Sequence, residues 1–265
     1  MLDDAPAIDL MTDRAHSARI YDYLLGGKTN YQPDRDAAEA ASAAWPSLRR
    51  TAAAQRGFMQ RTTRAIAEAG VTQFLDIGTG IPTEPNLHQV VDDVRPDSRV
   101  VYVDNDPIVL AHAAALTSGR GTVAYVQGDA ADPHSILTAQ PLLETLDLTR
   151  PVAMSVIGLL HFLDDATVTR LLSTMTDAVP SGSYLTITAG TFDHDTTGEM
   201  RAMVEAYTRS GIPGYGRTLE QVRSLLAGWD VLEPGIVAPQ AWRPATDGRW
   251  PVEEHAMWAA VARRP

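Results

Sequence analysis

Cysteine is absent from the whole of this 265-residue chain, which excludes a disulfide framework, a thiolate zinc site, an iron–sulfur cluster and a thiol nucleophile. Lysine is nearly absent: Lys28 stands alone among 22 basic residues, the other 21 being arginine. An Ala-, Arg- and Asp-rich chain so poor in lysine reads as the translation of GC-rich DNA, and the one exception lies inside a glycine turn. Positive charge is short overall, since 22 Lys+Arg against 33 Asp+Glu leave a net charge of −11. A surface of that sign repels a phosphate backbone, so nucleic acid is not an expected partner. Long apolar runs are missing as well. The longest, Val152 to Leu163, is about a dozen residues and contains His161, well short of the roughly 20 that span a membrane. The N-terminal stretch carries acidic residues where a secretory signal needs a basic region. The expectation is a soluble cytoplasmic protein with no membrane partner.

What is present has a clear order. Residues 15–70 read as helical, broken at Leu24-Leu25-Gly26-Gly27-Lys28-Thr29-Asn30, with a helix from about Leu48 that stops at Gly70. From Thr72 five apolar runs follow, QFLDIG, RVVYVD, TVAYVQGD, PVAMSVIG and SYLTITAG, separated by helical segments. That alternation predicts βαβ crossovers and a parallel sheet buried on both faces. The helix after the second run has Asp106 as its N-cap, Pro107 in the first turn and Gly119 past its end. Near the C-terminus DVLEPGIV and HAMWAAVA predict an antiparallel pair at the sheet edge, with no helix between them. They follow a helix that begins at Thr218 with Gln221 in a capping-box position. Residues 1–70 thus form a helical N-terminal extension or cap, and 71–265 an α/β domain. A segment at about 192–217, a helix flanked by HDTTG and GIPGYG, suits a mobile cover.

Three strand ends carry acids. The first, Asp76-Ile77-Gly78-Thr79-Gly80, lets the backbone turn sharply and approach a ligand with no Cβ in the way. The second ends at Asp104, where an acid can accept from both hydroxyls of a ribose. The third ends in Gly128-Asp129-Ala130, where Asp129 can accept from an adenine amino group. Singly each is a common turn or helix cap; in consecutive units they point at one edge of one sheet. A dinucleotide fingerprint would need glycine at Thr83, and Asp76 would disfavour pyrophosphate while accepting from a ligand ammonium, so the pattern favours S-adenosylmethionine over NAD. Gly27-Lys28-Thr29 imitates the end of a phosphate-binding loop, but Asp22 occupies the position of its first glycine and the preceding segment is helical.

The block Ser17-Ala18-Arg19-Ile20-Tyr21-Asp22-Tyr23-Leu24-Leu25-Gly26-Gly27-Lys28-Thr29-Asn30-Tyr31, followed by Asp34-Arg35, resembles the opening motif of an actinobacterial S-adenosylmethionine-dependent methyltransferase family once filed as a domain of unknown function. The resemblance continues through FLDIGTGIPTEPNLH, VVYVDNDPIVLAHA, YVQGDAADP and LLHFL to the final VARRP, covering nearly the whole chain. It implies a class I methyltransferase, Rossmann-like α/β fold: a mostly parallel seven-stranded sheet with helices on both faces. It also implies S-adenosylmethionine as cofactor. Asp76, Gly78, Thr79 and Gly80 then form the cofactor loop, Asp104 and Asn105 the ribose and adenine edge, and Asp129 with Ala130 the adenine site. Ile157, Gly158 and Leu159 would face the sulfonium. Tyr21, Lys28, Asn30, Tyr31 and Arg35 would cover the cofactor or build the acceptor pocket. Core packing accounts equally for the two tyrosines, and a solvated helix-end charge for Lys28.

Methyl transfer from a sulfonium is an in-line displacement whose leaving group is already activated, so the protein mainly aligns the reactants and excludes water. The fourth strand ends in Ile157-Gly158-Leu159-Leu160-His161-Phe162 and lacks the Asp/Asn-Pro-Pro-aromatic sequence of adenine and glutamine amino methyltransferases. Cytosine C5 methylation needs a cysteine. The expected acceptor is therefore a small molecule methylated on oxygen or nitrogen, suited to secondary metabolism. His161 is the candidate general base, against a purely structural histidine that caps the next helix or bonds backbone. His194, between Asp193 and Asp195, offers no converging carboxylate cluster, so no metal is expected. The alternative function is a protein that binds S-adenosylmethionine without transferring methyl. Oligomeric state stays open, a homodimer among the options.

Overall fold

The computed structural model describes residues 10–109, 111–112, 122–244 and 255–265. The five apolar runs form β1 (Gln73–Ile77), β2 (Arg99–Asp104), β3 (Val123–Gln127), β4 (Ala153–Val156) and β5 (Tyr184–Gly190). The C-terminal part adds β6 (Asp230–Val231) and β7 (Met257–Arg263). One sheet holds them in the order β3-β2-β1-β4-β5-β7-β6. The pairings among β1 to β5 are parallel, and β7 runs antiparallel to both β5 and β6. The chain moves outward from β1 to β3 and then returns to the other side of β1 as β4. That reversal opens a crevice at the carboxyl ends of β1 and β4.

The C-terminal antiparallel pair forms at one edge of the sheet, as expected. β6 is the edge strand there, and β7 sits between it and β5. β6 is just two residues long, because Pro234 cannot donate to a ladder; the run rejoins only at a bridge between Val237 and Ala259. A 3-10 turn at Pro239–Ala241 occupies part of the stretch read as helix-free loop.

Alternate residues of the central strands divide between two cores. Leu75, Ile77, Val101 and Val103 pack with Ile136, Leu171 and Met175 on one face. Phe74, Val100 and Tyr102 meet Phe58 and Ile66 on the other. Cover on both faces is why the strands are apolar throughout. Asp106 starts the helix after β2, its Oδ1 accepting from the Ile108 amide at 3.0 Å; that helix covers 107–109 and 111–112, and Gly119 lies outside the described residues. Thr218 and Gln221 form the expected capping box of the Leu219–Leu225 helix.

The N-terminal part is α1 (Ser17–Leu24), α2 (Gln32–Ala44) and α3 (Leu48–Glu68). Buried Asp22 builds the break between α1 and α2. Its Oδ2 accepts from the Thr29 amide at 2.9 Å and from Asn30 Nδ2 at 2.8 Å, and Arg35 Nη1 donates to the Asn30 carbonyl at 2.9 Å. Gly27 is required here, because a Cβ would lie 2.0 Å from Asp22 Oδ1. The small residues Ala37, Ala38 and Ala41 of α2 let the Glu199–Arg209 helix approach closely, burying Met203 and Tyr207 in a core of their own. The 192–217 segment is thus joined to the N-terminal helices by shared apolar packing.

Candidate active site

A cavity of about 340 Å3 lies at the carboxyl ends of the strands, between the sheet, the N-terminal helices and the 192–217 segment. Asp76, Gly78, Thr79, Gly80, Asp104 and Asn105 line it, as do Asp129, Ala130, Ile157 and Gly158. These are the ten positions the sequence offered for the cofactor.

The parallel register places Asp76 opposite Tyr102 of β2 and Ser155 of β4. Its Oδ1 accepts from Ser155 Oγ and its Oδ2 from Thr79 Oγ1 at 2.9 Å. Burial pushes the Asp76 carboxyl above the usual range, opposed by the Ser155 and Thr79 hydroxyls and by the charge of Arg56. At Gly78 the chain turns with φ +75°, and a Cβ there would press to 2.9 Å from Leu159. The amides of Gly78 and Thr79 both donate to the Val103 carbonyl, at 2.8 and 3.1 Å, which pulls the turn across the end of β2.

The same turn meets Asp104. The Gly80 amide donates to Asp104 Oδ2 at 2.8 Å, and the Asp106 amide donates to Oδ1 at 2.9 Å. Burial raises the Asp104 carboxyl, and the two amides oppose that. Its orientation is fixed by one donor per oxygen, and each oxygen keeps further acceptor capacity for hydroxyls. At the end of β3, Asp129 Oδ1 accepts from the Ala131 amide at 2.8 Å.

Two adjacent residues of α3, absent from the sequence expectations, complete this half. The Gly158 amide donates to Thr188 Oγ1 at 2.8 Å, and that hydroxyl donates to Gln55 Oε1 at 2.9 Å. Arg56 donates to the carbonyls of Thr83 and Pro85, bracing the loop after Gly80, while its Nε is buried without a partner. Both residues line the cavity. A signal for Gln55 existed: it falls on the buried stripe of α3 with Thr51, Ala52, Phe58, Met59 and Thr62, where a long amide has no packing role.

His161 also lines the cavity, on a 3-10 turn spanning Leu160–Phe162. It caps nothing, because Asp164 takes that position and accepts from the Thr167 amide at 2.7 Å. His161 Nδ1 is buried with no hydrogen-bond partner. Burial, and secondarily the charge of Arg217, lowers the imidazole to about 4. Arg217 holds the turn itself, donating to the carbonyls of Leu160 and Leu163, each at 2.7 Å, and pairing with Asp165 at 2.9 Å. The Tyr215 amide donates to the His161 carbonyl at 2.8 Å.

The N-terminal candidates separate. Tyr21 lines the cavity; its hydroxyl donates to the Ala52 carbonyl at 3.0 Å and is pushed up to about 12 by burial. Lys28, Asn30, Tyr31 and Arg35 are not among the residues that line it. Lys28 is exposed, Asn30 and Arg35 are consumed in the Asp22 turn, and Tyr31 is the N-cap of α2, its amide bonded to Asp34. His194 packs its ring 4.3 Å from that of His255. Among the described residues no group of three His, Asp or Glu side chains is placed to hold a metal ion. No helix among them is long and apolar enough to cross a membrane.

A family model described as S-adenosyl methyltransferase matches residues 3–265. A crystal structure of a DUF574 family protein from Streptomyces avermitilis is similar at 45% identity, with TM-score 0.91, over 96% of this chain and 99% of that one. A protein from Thermobifida fusca, described as a candidate methyltransferase, is 34% identical with TM-score 0.91 over 99% of both chains. N,N-8-amino-8-demethyl-D-riboflavin dimethyltransferase from Streptomyces davawensis, 22% identical, has TM-score 0.51 over 93% of this chain and 62% of its own, which speaks for the fold alone. No protein of curated function matches the chain significantly.

Proposed function

The chain belongs to the S-adenosyl methyltransferase family, and from that premise we propose that it transfers a methyl group from S-adenosylmethionine to an oxygen or nitrogen of a small molecule, as a tailoring step of secondary metabolism. The observation that carries this reading is one continuous cavity running from the acids at the ends of β1, β2 and β3 past Gly158 to His161. The residues present fit the cofactor. A Cβ built at Gly80 meets nothing within 4 Å, so backbone there is open to an approaching ligand. Asp104 holds the ribose hydroxyls, Asp129 and Ala130 the adenine edge, and Asp76 the ammonium. Arg56 Nε, buried and unpartnered beside that acid, takes the cofactor carboxylate.

The cofactor supplies a methyl group already activated on a positively charged sulfur. The chain supplies alignment and a dry chamber. Gly158, fixed through Thr188 to Gln55, sets the floor past which the acceptor must approach. His161 Nδ1 accepts a hydrogen bond from the acceptor's O–H or N–H. With a basicity near 4 it takes that proton only once the methyl has begun to arrive and the acceptor has become strongly acidic.

That low basicity is also the one observation favouring binding without transfer. Incubation with methyl-labelled cofactor and a metabolite extract separates the two. Label in an organic product is the expected result; tight cofactor binding with no label in any product would establish the second reading. Loss of rate in His161→Ala with unchanged cofactor affinity is expected as well.

A further inference from the structure

We propose that the acceptor is an uncharged, largely apolar molecule with a single polar group, which it presents to His161 Nδ1; this deepens the transferase reading above and rests on it.

The cavity has two chemically distinct parts. The acidic and guanidinium side chains gather at the strand ends: Asp76 with Arg56, Asp104 and Asp129. Beyond Gly158 the wall is built by Leu24, Trp45 and Leu48 from the N-terminal helices and by Phe192, Met203 and Ile212 from the covering segment. Tyr21 and Tyr207 lie on the same wall, and burial pushes both hydroxyls up, so they remain neutral. His161 is held neutral by burial and by Arg217. Arg217 itself is 2% exposed, with its guanidinium spent on two carbonyls and Asp165.

A carboxylate or ammonium entering this part would lose its hydration and find no counter-ion among the described residues that line it, which costs several kcal/mol in a site of this kind. A neutral ring or chain loses nothing comparable and gains apolar burial. Methionines contribute further: Met59, Met200 and Met257 also line the cavity, and flexible thioethers fit irregular apolar shapes. Only one polar atom on this wall is buried and unpartnered among the described residues, His161 Nδ1. Arg56 Nε, the other such atom on the cavity, lies beside Asp76.

The test uses the full chain saturated with S-adenosylhomocysteine and four matched probes at about pH 7.5: 2-naphthol, naphthalene, 2-naphthoate and the 2-naphthylmethylammonium ion. Binding is followed by calorimetry. The expected result is that naphthol binds at least about tenfold more tightly than either ion. Naphthol should also exceed naphthalene, and His161→Phe should erase that margin while leaving S-adenosylhomocysteine affinity unchanged. Equal or tighter binding of naphthoate or the ammonium ion would overturn the neutral class and leave the transferase reading standing. Loaded protein that binds none of the probes would contradict the acceptor chamber, and the transferase reading with it. A margin over naphthalene that survives in His161→Phe would remove His161 as the anchor.

Discussion

The guanidinium of Arg19 and the carboxylate of Asp106, both fully buried, are joined by two hydrogen bonds: Nε to Oδ2 at 2.8 Å and Nη2 to Oδ1 at 2.9 Å. This pair ties α1 to the residue whose amide orients Asp104, so the N-terminal helices and that strand-end acid are mechanically linked. Arg19 also donates to the carbonyls of Leu10 and Met11, and Asp106 is its ion-pair partner among the described residues.

Arg19→Ala should therefore cost about 3–5 kcal/mol, the penalty of removing the guanidinium from a buried carboxylate that keeps only the Ile108 amide and His16, 3.2 Å away. The double variant Arg19→Met with Asp106→Leu should lose less, because no charge is left buried. Urea unfolding at neutral pH checks both. A single variant that loses less than about 1 kcal/mol would mean that His16, already 3.2 Å from Asp106 Oδ2, suffices as its partner.

Asp22 and Lys28 should behave oppositely, although both sit in the family-specific block. Asp22→Ala strands the Thr29 amide and Asn30 in the turn and should destabilise by about 2 kcal/mol. Lys28 is exposed and off the cavity, and Lys28→Ala should change stability by no more than about 0.5 kcal/mol. Cofactor affinity should be unaffected by the lysine change; a large loss would place Lys28 on the ligand after all.

That contrast shows what the sequence could and could not disclose. The strands, the acids at their ends and the helix breaks were legible, because each is written in a few consecutive residues: an apolar run, an acid, a glycine. Arg19 with Asp106 and Gln55 with Thr188 were not, since the partners lie 87 and 133 residues apart and no local spacing links them. Lys28 is exposed and off the cavity, which is what the solvated-charge reading of it expects. The turn it stands in is built by Asp22 and Gly27, since a Cβ at Gly27 would meet the Asp22 carboxylate.

His161 gives a pH prediction of definite sign. In the unfolded chain it titrates near 6.5 and in the folded chain near 4. Between those values the unfolded state binds a proton that the folded state refuses, so stability falls as pH drops from 6.5 to 4. Over those 2.5 units, at about 1.36 kcal/mol each, the contribution is about 3 kcal/mol. His255, also near 4 because of burial, acts in the same direction. Urea unfolding across this range should show a shallower slope in His161→Gln than in wild type. Equal slopes would mean that the imidazole titrates normally. The rate, correspondingly, should show no ionisation of this histidine between pH 6 and 7.

Arg56 should discriminate between ligands. Arg56→Met is expected to weaken S-adenosylhomocysteine by about 10- to 100-fold, the worth of a charge-assisted bond, while leaving methylthioadenosine, which has no carboxylate, nearly unchanged. Thermal-shift or calorimetric titration of both ligands checks this. Parallel losses for the two would indicate that Arg56 acts only by bracing the loop at Thr83 and Pro85.

The most direct test of the account is calorimetric titration of S-adenosylhomocysteine into wild type and Asp104→Ala. The geometry predicts micromolar binding or tighter by wild type, and a loss of about 10- to 100-fold or more in the variant, which removes both the ribose acceptor and the anchor of the Gly80 turn. No binding by folded wild type, or equal binding by the two proteins, would contradict the assignment of these strand ends to the cofactor.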